Sequence, residues 1–447
     1  MTRTTGMTIR ALAACAILLF AHCGPSETGA VGAAKLPGQI AGLSSLGPTK
    51  ALGFASDRVL VRFRPGIAPA YAEELLRSYG SPSVHAIPAI GVYSVRTPPG
   101  VSVTETLALL RRNGDIETAR PDHRARIAEV PNDSYFAAYQ YNLRNRGGLM
   151  DIGGGLQFQL TADADVKAVP AWDEAKGDAE VVIAVLDTGV DREHIDLSAK
   201  VVSPGHDFAN DDDDAADDHW HGTHVAGIAA ADTGNLAGIA GVAWNCRILP
   251  VKVVDNNGDG YYSWIIDGII WATDQGADVI NLSLGGDVAD EYLEDACRYA
   301  HDHGVVVVAA AGNDAGPVLY PAAYDETVLA VAASDYNDAI ASFSNFGPEV
   351  DVAAPGAWIL GPAPQTYVGP EELPYLFASG TSAAAPHVSG LAALIRSLKP
   401  DLTADQIMMV IRYTADDVNR TALPGRDDRA GYGRINMQRA LVPYILD

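Results

Sequence analysis

Two different rhythms of apolar positions run along the chain. Between residues 57 and 127, short alternating stretches are separated by helical periodicity. Val59-Leu60-Val61-Arg62-Phe63 alternates like a half-buried strand and stops at Pro65-Gly66. Ala70 to Ser78 carries a helical pattern. Val92-Tyr93-Ser94-Val95 predicts a second strand, closed by Pro98-Pro99-Gly100. Val103 to Arg112 predicts a second helix, with Thr104 as its cap, and Ile116 to Ala119 opens a last strand. This order predicts a small α+β domain of ferredoxin-like type.

From about residue 170 the rhythm changes to continuous apolar runs alternating with helices. Val181 to Leu186, Ile248 to Val254, Val279 to Leu284, Val305 to Ala310 and Val328 to Ala333 are such runs. Tyr262 to Gln275 and Asp290 to His303 read as helices between them. Strands apolar on both faces predict an α/β fold, a mostly parallel sheet covered by helices on each side. Ligands of such sheets bind beyond the C-terminal strand ends, so the polar residues just after each run are the candidates for chemistry.

The first residues follow neither rhythm. Arg3 and Arg10 precede a short apolar run from Ala11 to Ala21, which predicts an export signal over residues 1–23. Cys23 follows Leu18-Leu19-Phe20-Ala21-His22, so a lipid anchor on Cys23 is the alternative, although His22 stands where a small residue is usual. Residues 24–56, rich in Gly, Ala, Ser and Pro, read as a linker. No later uncharged apolar run is long enough to span a bilayer, so a mature protein free of the membrane is expected.

Composition changes this picture little, with 48% hydrophobic and 19% charged residues. Charge changes it more. The formal net charge is −25. Residues 1–130 hold 14 Lys and Arg against 9 Asp and Glu, a net +5, and the remainder is at −30. The acidic body excludes nucleic acid as a partner by repulsion. The opposite signs favour docking of the N-terminal segment on the rest. Cys246 and Cys297 remain after the leader, and one disulfide or two buried thiols are both open readings.

Three segments carry candidate chemistry. Asp187-Thr188-Gly189-Val190 follows the first buried run. His221-Gly222-Thr223-His224-Val225-Ala226-Gly227 enters a helix of small residues. Gly380-Thr381-Ser382-Ala383-Ala384-Ala385-Pro386-His387 is a turn leading into another. A serine at a helix start is exposed near a positive dipole end, which suits a nucleophile whose product is an oxyanion. It needs a base that titrates near neutrality, and the histidine needs a buried carboxylate to fix its tautomer. Each segment alone is an ordinary cap, packing residue or turn; the order Asp, His, Ser makes them specific.

On these motifs the chain, from about Pro131 to its end, resembles the subtilisin-like serine proteases, most closely the thermitase-like branch. The resemblance implies a three-layer subtilisin-like catalytic domain over residues 131–447. It implies that Asp187 orients, His221 acts as base and acid, and Ser382 attacks the scissile carbonyl. Ala310-Ala311-Gly312-Asn313 matches the segment whose Asn donates to the oxyanion. Ser283-Leu284-Gly285-Gly286 and Asn257-Gly258-Asp259-Gly260-Tyr261 match the edges that pair with an extended peptide. Gly258, Gly260, Ser283, Leu284, Gly285, Ala310 and Gly312 are thus the expected substrate contacts. An S1 pocket of Ala310, Gly312, Asp314 and Val318 to Pro321 implies broad cleavage after large apolar residues. Ala383 stands where many relatives carry Met, so oxidative inactivation there is not expected. His224 and His387 are expected to pack.

The resemblance also implies structural calcium. Asp133, Asp196 and Asn235 match the strong site of that branch, completed by carbonyls near Asp232, Ala237 and Ile239. Asp207, Asp212 and Asp214 are a second candidate set, with Ala216 in place of one ligand. No His/Cys cluster has spacing for zinc. Residues 57–127 resemble the family's inhibitor-like propeptide, on Val59 to Phe63 and Ala119-Arg120-Pro121-Asp122. That implies a self-processing zymogen, cut between Ala125 and Asn132, whose partners are protein and peptide substrates and its own propeptide. A secreted monomer is expected. Gln140 to Asp165 reads as an insertion. A silent binding protein on the same fold would lack part of this machinery, and an esterase would need a Gly-x-Ser-x-Gly elbow, which Gly380-Thr381-Ser382 is not.

Overall fold

Strands apolar on both faces need cover on both faces, and the larger of the chain's two units supplies it. The computed structural model describes residues 54–123, 129–202, 205–418 and 421–442. The expected signal 1–23, nearly all of the linker 24–56 and residues 124–128 at the expected cut lie outside the described residues.

The smaller unit runs β1 (Phe54–Phe63), α1 (Pro69–Ser78), β2 (Val84–Ile87), β3 (Val92–Arg96), α2 (Val103–Leu110) and β4 (Ile116–His123). Its strands form one antiparallel sheet in the order β2-β3-β1-β4, the split βαβ arrangement. Val59, Val61, Leu76, Val95 and Leu110 fill its core. Two expectations change. β2 is a fourth strand that the periodicity did not announce. The cap of α2 is Ser102, not Thr104. Its hydroxyl accepts from the Glu105 N–H at 3.2 Å while the Glu105 carboxylate accepts from the Ser102 N–H at 2.9 Å, a reciprocal capping box.

The larger unit begins with α3 (Phe136–Tyr139), a hairpin of β5 (Gly148–Asp151) and β6 (Gln157–Leu160), and α4 (Ala168–Ala171). Then come β7 (Val182–Asp187), β8 (His206–Asp207), α5 (His221–Ala230), β9 (Arg247–Lys252), α6 (Tyr262–Asp274), β10 (Val279–Leu282), α7 (Glu291–Asp302), β11 (Val306–Ala310), β12 (Val328–Ser334) and β13 (Val350–Pro355). β14 (Ile359–Pro362), α8 (Gln365–Val368) and β15 (Tyr375–Ala378) form a second hairpin. α9 (Thr381–Leu398), α10 (Ala404–Thr414) and α11 (Met437–Leu441) close the unit.

Seven strands form a parallel sheet in the order β13-β12-β11-β10-β7-β9-β8. Alternate residues of each strand serve alternate layers. Ile183 and Val185 of β7 share a core with α5, α9 and α10, while Ala184 and Leu186 share one with α6 and α7. The fold is therefore a three-layer α/β sandwich. The stretch Gln140 to Asp165, expected to be an insertion, contains the β5–β6 hairpin. Met150 and Ile152 bury against Ile359 and Phe377, and Phe158 packs on Tyr336 and Trp358. Cys246 and Cys297 are buried free thiols in the cores on opposite faces of the sheet. Among the described residues no helix is long and apolar enough to cross a membrane.

Candidate active site

The C-terminal edge of the parallel sheet gathers the three motifs. Asp187 is the last residue of β7, His221 the first of α5, and Ser382 the second of α9. His221 Nδ1 lies 2.7 Å from Asp187 Oδ1, and the same oxygen accepts from the Thr188 N–H at 2.8 Å. The carboxylate is buried, and its Oδ2 has no hydrogen-bond partner. A hydrogen bond at Nδ1 leaves Nε2 as the ring nitrogen free for chemistry. Burial pulls the imidazole's affinity for a proton down, but the charge of Asp187 and its hydrogen bond outweigh burial. The net shift of His221 is upward.

Close packing sets this geometry. A Cβ on Gly222 would come within 2.1 Å of the Gly189 carbonyl and 3.1 Å of the Asp187 Cβ, so only glycine lets α5 approach β7 so closely. A second carboxylate, Asp217, ties the two segments. Thr188 Oγ1 donates to Asp217 Oδ1 at 2.9 Å and accepts from the Gly222 N–H at 2.9 Å. Asp217 Oδ2 accepts from the Thr223 N–H at 3.0 Å and its hydroxyl at 2.5 Å. Burial holds the Asp217 carboxyl above the usual carboxylate range despite these bonds. Lys252, 1% exposed and opposite Asp187 in the sheet register, donates to the Thr188 carbonyl at 2.8 Å, to Val254 at 3.0 Å and to Asp218 at 2.6 Å.

Asn313 follows β11. Its Oδ1 accepts from the Thr381 N–H at 2.8 Å and the Thr381 hydroxyl at 3.0 Å. With the oxygen so engaged, the amide Nδ2 is left to donate elsewhere. A Cβ on Gly380 would lie 2.8 Å from Ser382 Oγ and 3.5 Å from Asn313 Nδ2, so both atoms border one small volume kept open by the missing side chain. Gly312, at φ +111°, has no room for a Cβ, which would meet Asn345 at 2.2 Å. Asn345 itself accepts from the Asp314 and Gly316 N–H groups at 2.7 and 3.0 Å, which shapes the loop after Asn313.

The remaining expected contacts fall into three places. Ala310 and Gly312 flank Ala311 at the end of β11, with Gly312 donating its N–H to Thr381 Oγ1 at 3.1 Å. Ser283 donates its hydroxyl to the Ser382 carbonyl at 2.9 Å. Leu284 and Gly285 follow, Gly285 against Leu319. Gly258 lies in a tight turn closed by Asp255 and Asp259, and Gly260 directly follows it. His224 and His387 are buried and neutral, pushed down to about 3 and about 4 by burial, which fits packing rather than proton transfer. Asp217, Lys252 and Asn345 were not singled out from sequence; no motif distinguishes them from ordinary loop residues.

The two candidate cation sets differ. Asp133 accepts from the Gly234 N–H on both oxygens at 3.0 Å, and Asp196 lies against Asn235 at 3.3 Å, with Ile239 N–H at 3.0 Å and the Tyr375 hydroxyl at 2.9 Å. Burial, with repulsion from Asp196, pushes Asp133 up to about 6, and burial raises Asp196 too. Crowded, desolvated carboxylate oxygens of this kind suit a hard cation. By contrast Asp207 caps Ala209 and Asn210, Asp212 caps Asp214, and Asp214 pairs with Arg192. Among the described residues no group of three or more His, Cys, Asp or Glu is arranged around a common point.

Comparison with known proteins matches this architecture. The subtilase family model covers residues 178–433, and the fervidolysin N-terminal prodomain model covers residues 45–122. The chain is 44% identical over 340 residues to a thermophilic serine proteinase of Bacillus sp. (strain AK1), covering 76% of each chain. It is 41% identical over 312 residues to thermitase of Thermoactinomyces vulgaris, covering 70% of this chain and 99% of thermitase. Among solved structures, a protease from Pseudoalteromonas arctica superposes with a TM-score of 0.59 at 34% identity, over 70% of this chain and 99% of that one. The chain thus belongs to the subtilase family and is a subtilisin-like serine endopeptidase carrying an N-terminal prodomain.

Proposed function

We propose that Asp187, His221 and Ser382 are the catalytic triad and that Asn313 is the side-chain donor to the oxyanion. The 2.7 Å Asp187–His221 hydrogen bond, at a strand end beside the helix that presents Ser382, carries this reading. Asp187 holds the ring with Nε2 free. His221 Nε2 takes the Ser382 hydroxyl proton as Oγ attacks the scissile carbonyl, and later returns it to the leaving amine. The Ser382 N–H and Asn313 Nδ2 stabilise the tetrahedral oxygen. Removal of such a donor from a related subtilisin costs about 2.7–4 kcal/mol of barrier. Water repeats the sequence on the acyl-enzyme.

The extended substrate pairs by its main chain with Ser283 to Gly285 on one side and Gly258 to Gly260 on the other. Ala310, Gly312 and the Leu319 region favour large apolar residues before the cut. Calcium, when bound, supplies stability and no chemistry, held by Asp133 and Asp196 with Asn235 beside them. The buried carboxylates raised in proton affinity support that set; the second set lacks that burial, with Asp212 and Asp214 exposed. Residues 57–127 act as an inhibitory, folding-assisting propeptide, removed by self-cleavage before Asp133. The enzyme works outside the cell, as extracellular relatives such as the Natrialba magadii protease do. The test is expression with calcium of wild type and Ser382→Ala. Self-processing and casein cleavage by wild type alone support the reading; an unprocessed, inert wild type, or hydrolysis of small esters without casein cleavage, defeats it.

A further inference from the structure

The helix that carries Ser382 has a gap in its hydrogen-bond ladder one turn after the nucleophile. Pro386 lies inside α9. A proline has no N–H, and its ring crowds the carbonyl of the residue four positions back, which here is Ser382. The Ser382 carbonyl therefore loses its helical donor. The partner it takes instead is the Ser283 hydroxyl at 2.9 Å, from the segment after β10. Ser283 Oγ in turn accepts from Asn281 Nδ2 at 2.9 Å, and Asn281 Oδ1 accepts from the Ser389 hydroxyl at 2.8 Å. Asn281 and Ser389 are fully buried and Ser283 nearly so.

We propose that Ser283, oriented by Asn281 and Ser389, is a positioning residue that replaces the hydrogen bond Pro386 removes and so fixes the backbone of Ser382. The inference rests on the assignment of Ser382 as nucleophile. It adds a role for a side chain whose segment otherwise serves substrate through its main chain. The loop begins and ends on α9, since Ser389 lies on the same helix as Ser382. The helix thus braces its own first turn by way of the neighbouring strand. A nucleophile held this way needs no motion of the helix to reach its attack position, and a loss of order there falls on turnover rather than on binding.

The experiment is a double-mutant cycle on the calcium-loaded, processed enzyme, with rates normalised by active-site titration so that misfolded protein does not count. Ser283→Ala removes the hydroxyl and leaves the main chain intact. Pro386→Ala restores an N–H that can bond the Ser382 carbonyl. Ser283→Ala is expected to lower kcat about tenfold with KM within about twofold, the size of a small misplacement of a reacting group. In the Pro386→Ala background the same change should cost less than about threefold, because the helix then supplies the donor. Ser283→Thr, which keeps the hydroxyl, should retain most of the turnover. Equal losses from Ser283→Ala in both backgrounds, or a change in KM alone, would overturn the proposal. Turnover by Ser382→Ala, processed in trans and normalised by folded protein, would instead overturn the nucleophile assignment beneath it.

Discussion

Two groups of buried carboxylates lie at different parts of the larger unit and solve the problem of interior charge differently. Asp187 shares its pocket with an imidazole that can take up a proton and become a cation 2.7 Å away. Asp133 and Asp196 have no such partner. Among the described residues no Lys or Arg pairs with either, and the nearby His194 is held neutral by burial, with its Nδ1 accepting the Asp196 N–H. The carboxylates accordingly drift toward holding protons. One region carries its countercharge in the chain and can switch it on and off; the other must borrow it. On the proposed reading, that difference separates a site that moves a proton from one that holds a cation.

The sharpest way to break the first region is Asp187→Asn. The amide keeps the shape but offers an N–H toward a ring nitrogen that needs an acceptor. It should lower kcat by about 10⁴ in peptide hydrolysis, with folding and processing in trans preserved. A loss under tenfold would mean that Asp187 does not fix the tautomer.

If the proposed calcium site is real, the second region is broken by chelation. In the Ser382→Ala protein, which cannot digest itself, denaturant unfolding at a hundred times Kd of calcium should exceed the chelated value by about 2.7 kcal/mol. Asp196→Asn should erase that difference. A calcium effect that survives the substitution would place the ion elsewhere.

A smaller effect sharpens the contrast. Because the proton affinity of His221 is raised, activity should fall on acidification with a midpoint above the ordinary value of 6.5, as the base is lost to protonation. In Asp187→Asn the midpoint of the residual activity should move down, since the carboxylate that raised it is gone. The smallest effect is expected at Asp214, whose pair with Arg192 is exposed on both sides. Asp214→Asn should change unfolding free energy by less than about 0.5 kcal/mol, with or without calcium. A large calcium-dependent loss there would show that the acidic loop binds the ion after all.

Much of the frame was legible because it is local. Continuous apolar runs marked β7, β9, β10, β11 and β12 within a few residues, since a strand buried on both faces has no polar position to hide. The three motifs lay where a parallel sheet puts its ligands. The errors were also local. Ser102 and Glu105 carry the S-x-x-E pattern of a capping box, which outranks Thr104 because it satisfies two helix donors at once. Val84 to Ile87 is too short for periodicity to speak. What pattern could not reach are bonds between distant segments: Thr188 to Asp217, Lys252 to Asp218, Ser283 to Ser382, Asn345 to the loop after Asn313. Each residue there is an ordinary polar residue until the fold brings its partner near. The β5–β6 hairpin is another case, since its core partners belong to the β14–β15 hairpin.

Among the described residues, the two free thiols, Cys246 and Cys297, give this molecule a pair of built-in probes. Cys246 reports on the helical layer that carries His221 and Ser382, and Cys297 on the layer of α6 and α7, with the full thickness of the sheet between them. A mild thiol reagent added under native conditions therefore times the opening of each layer separately.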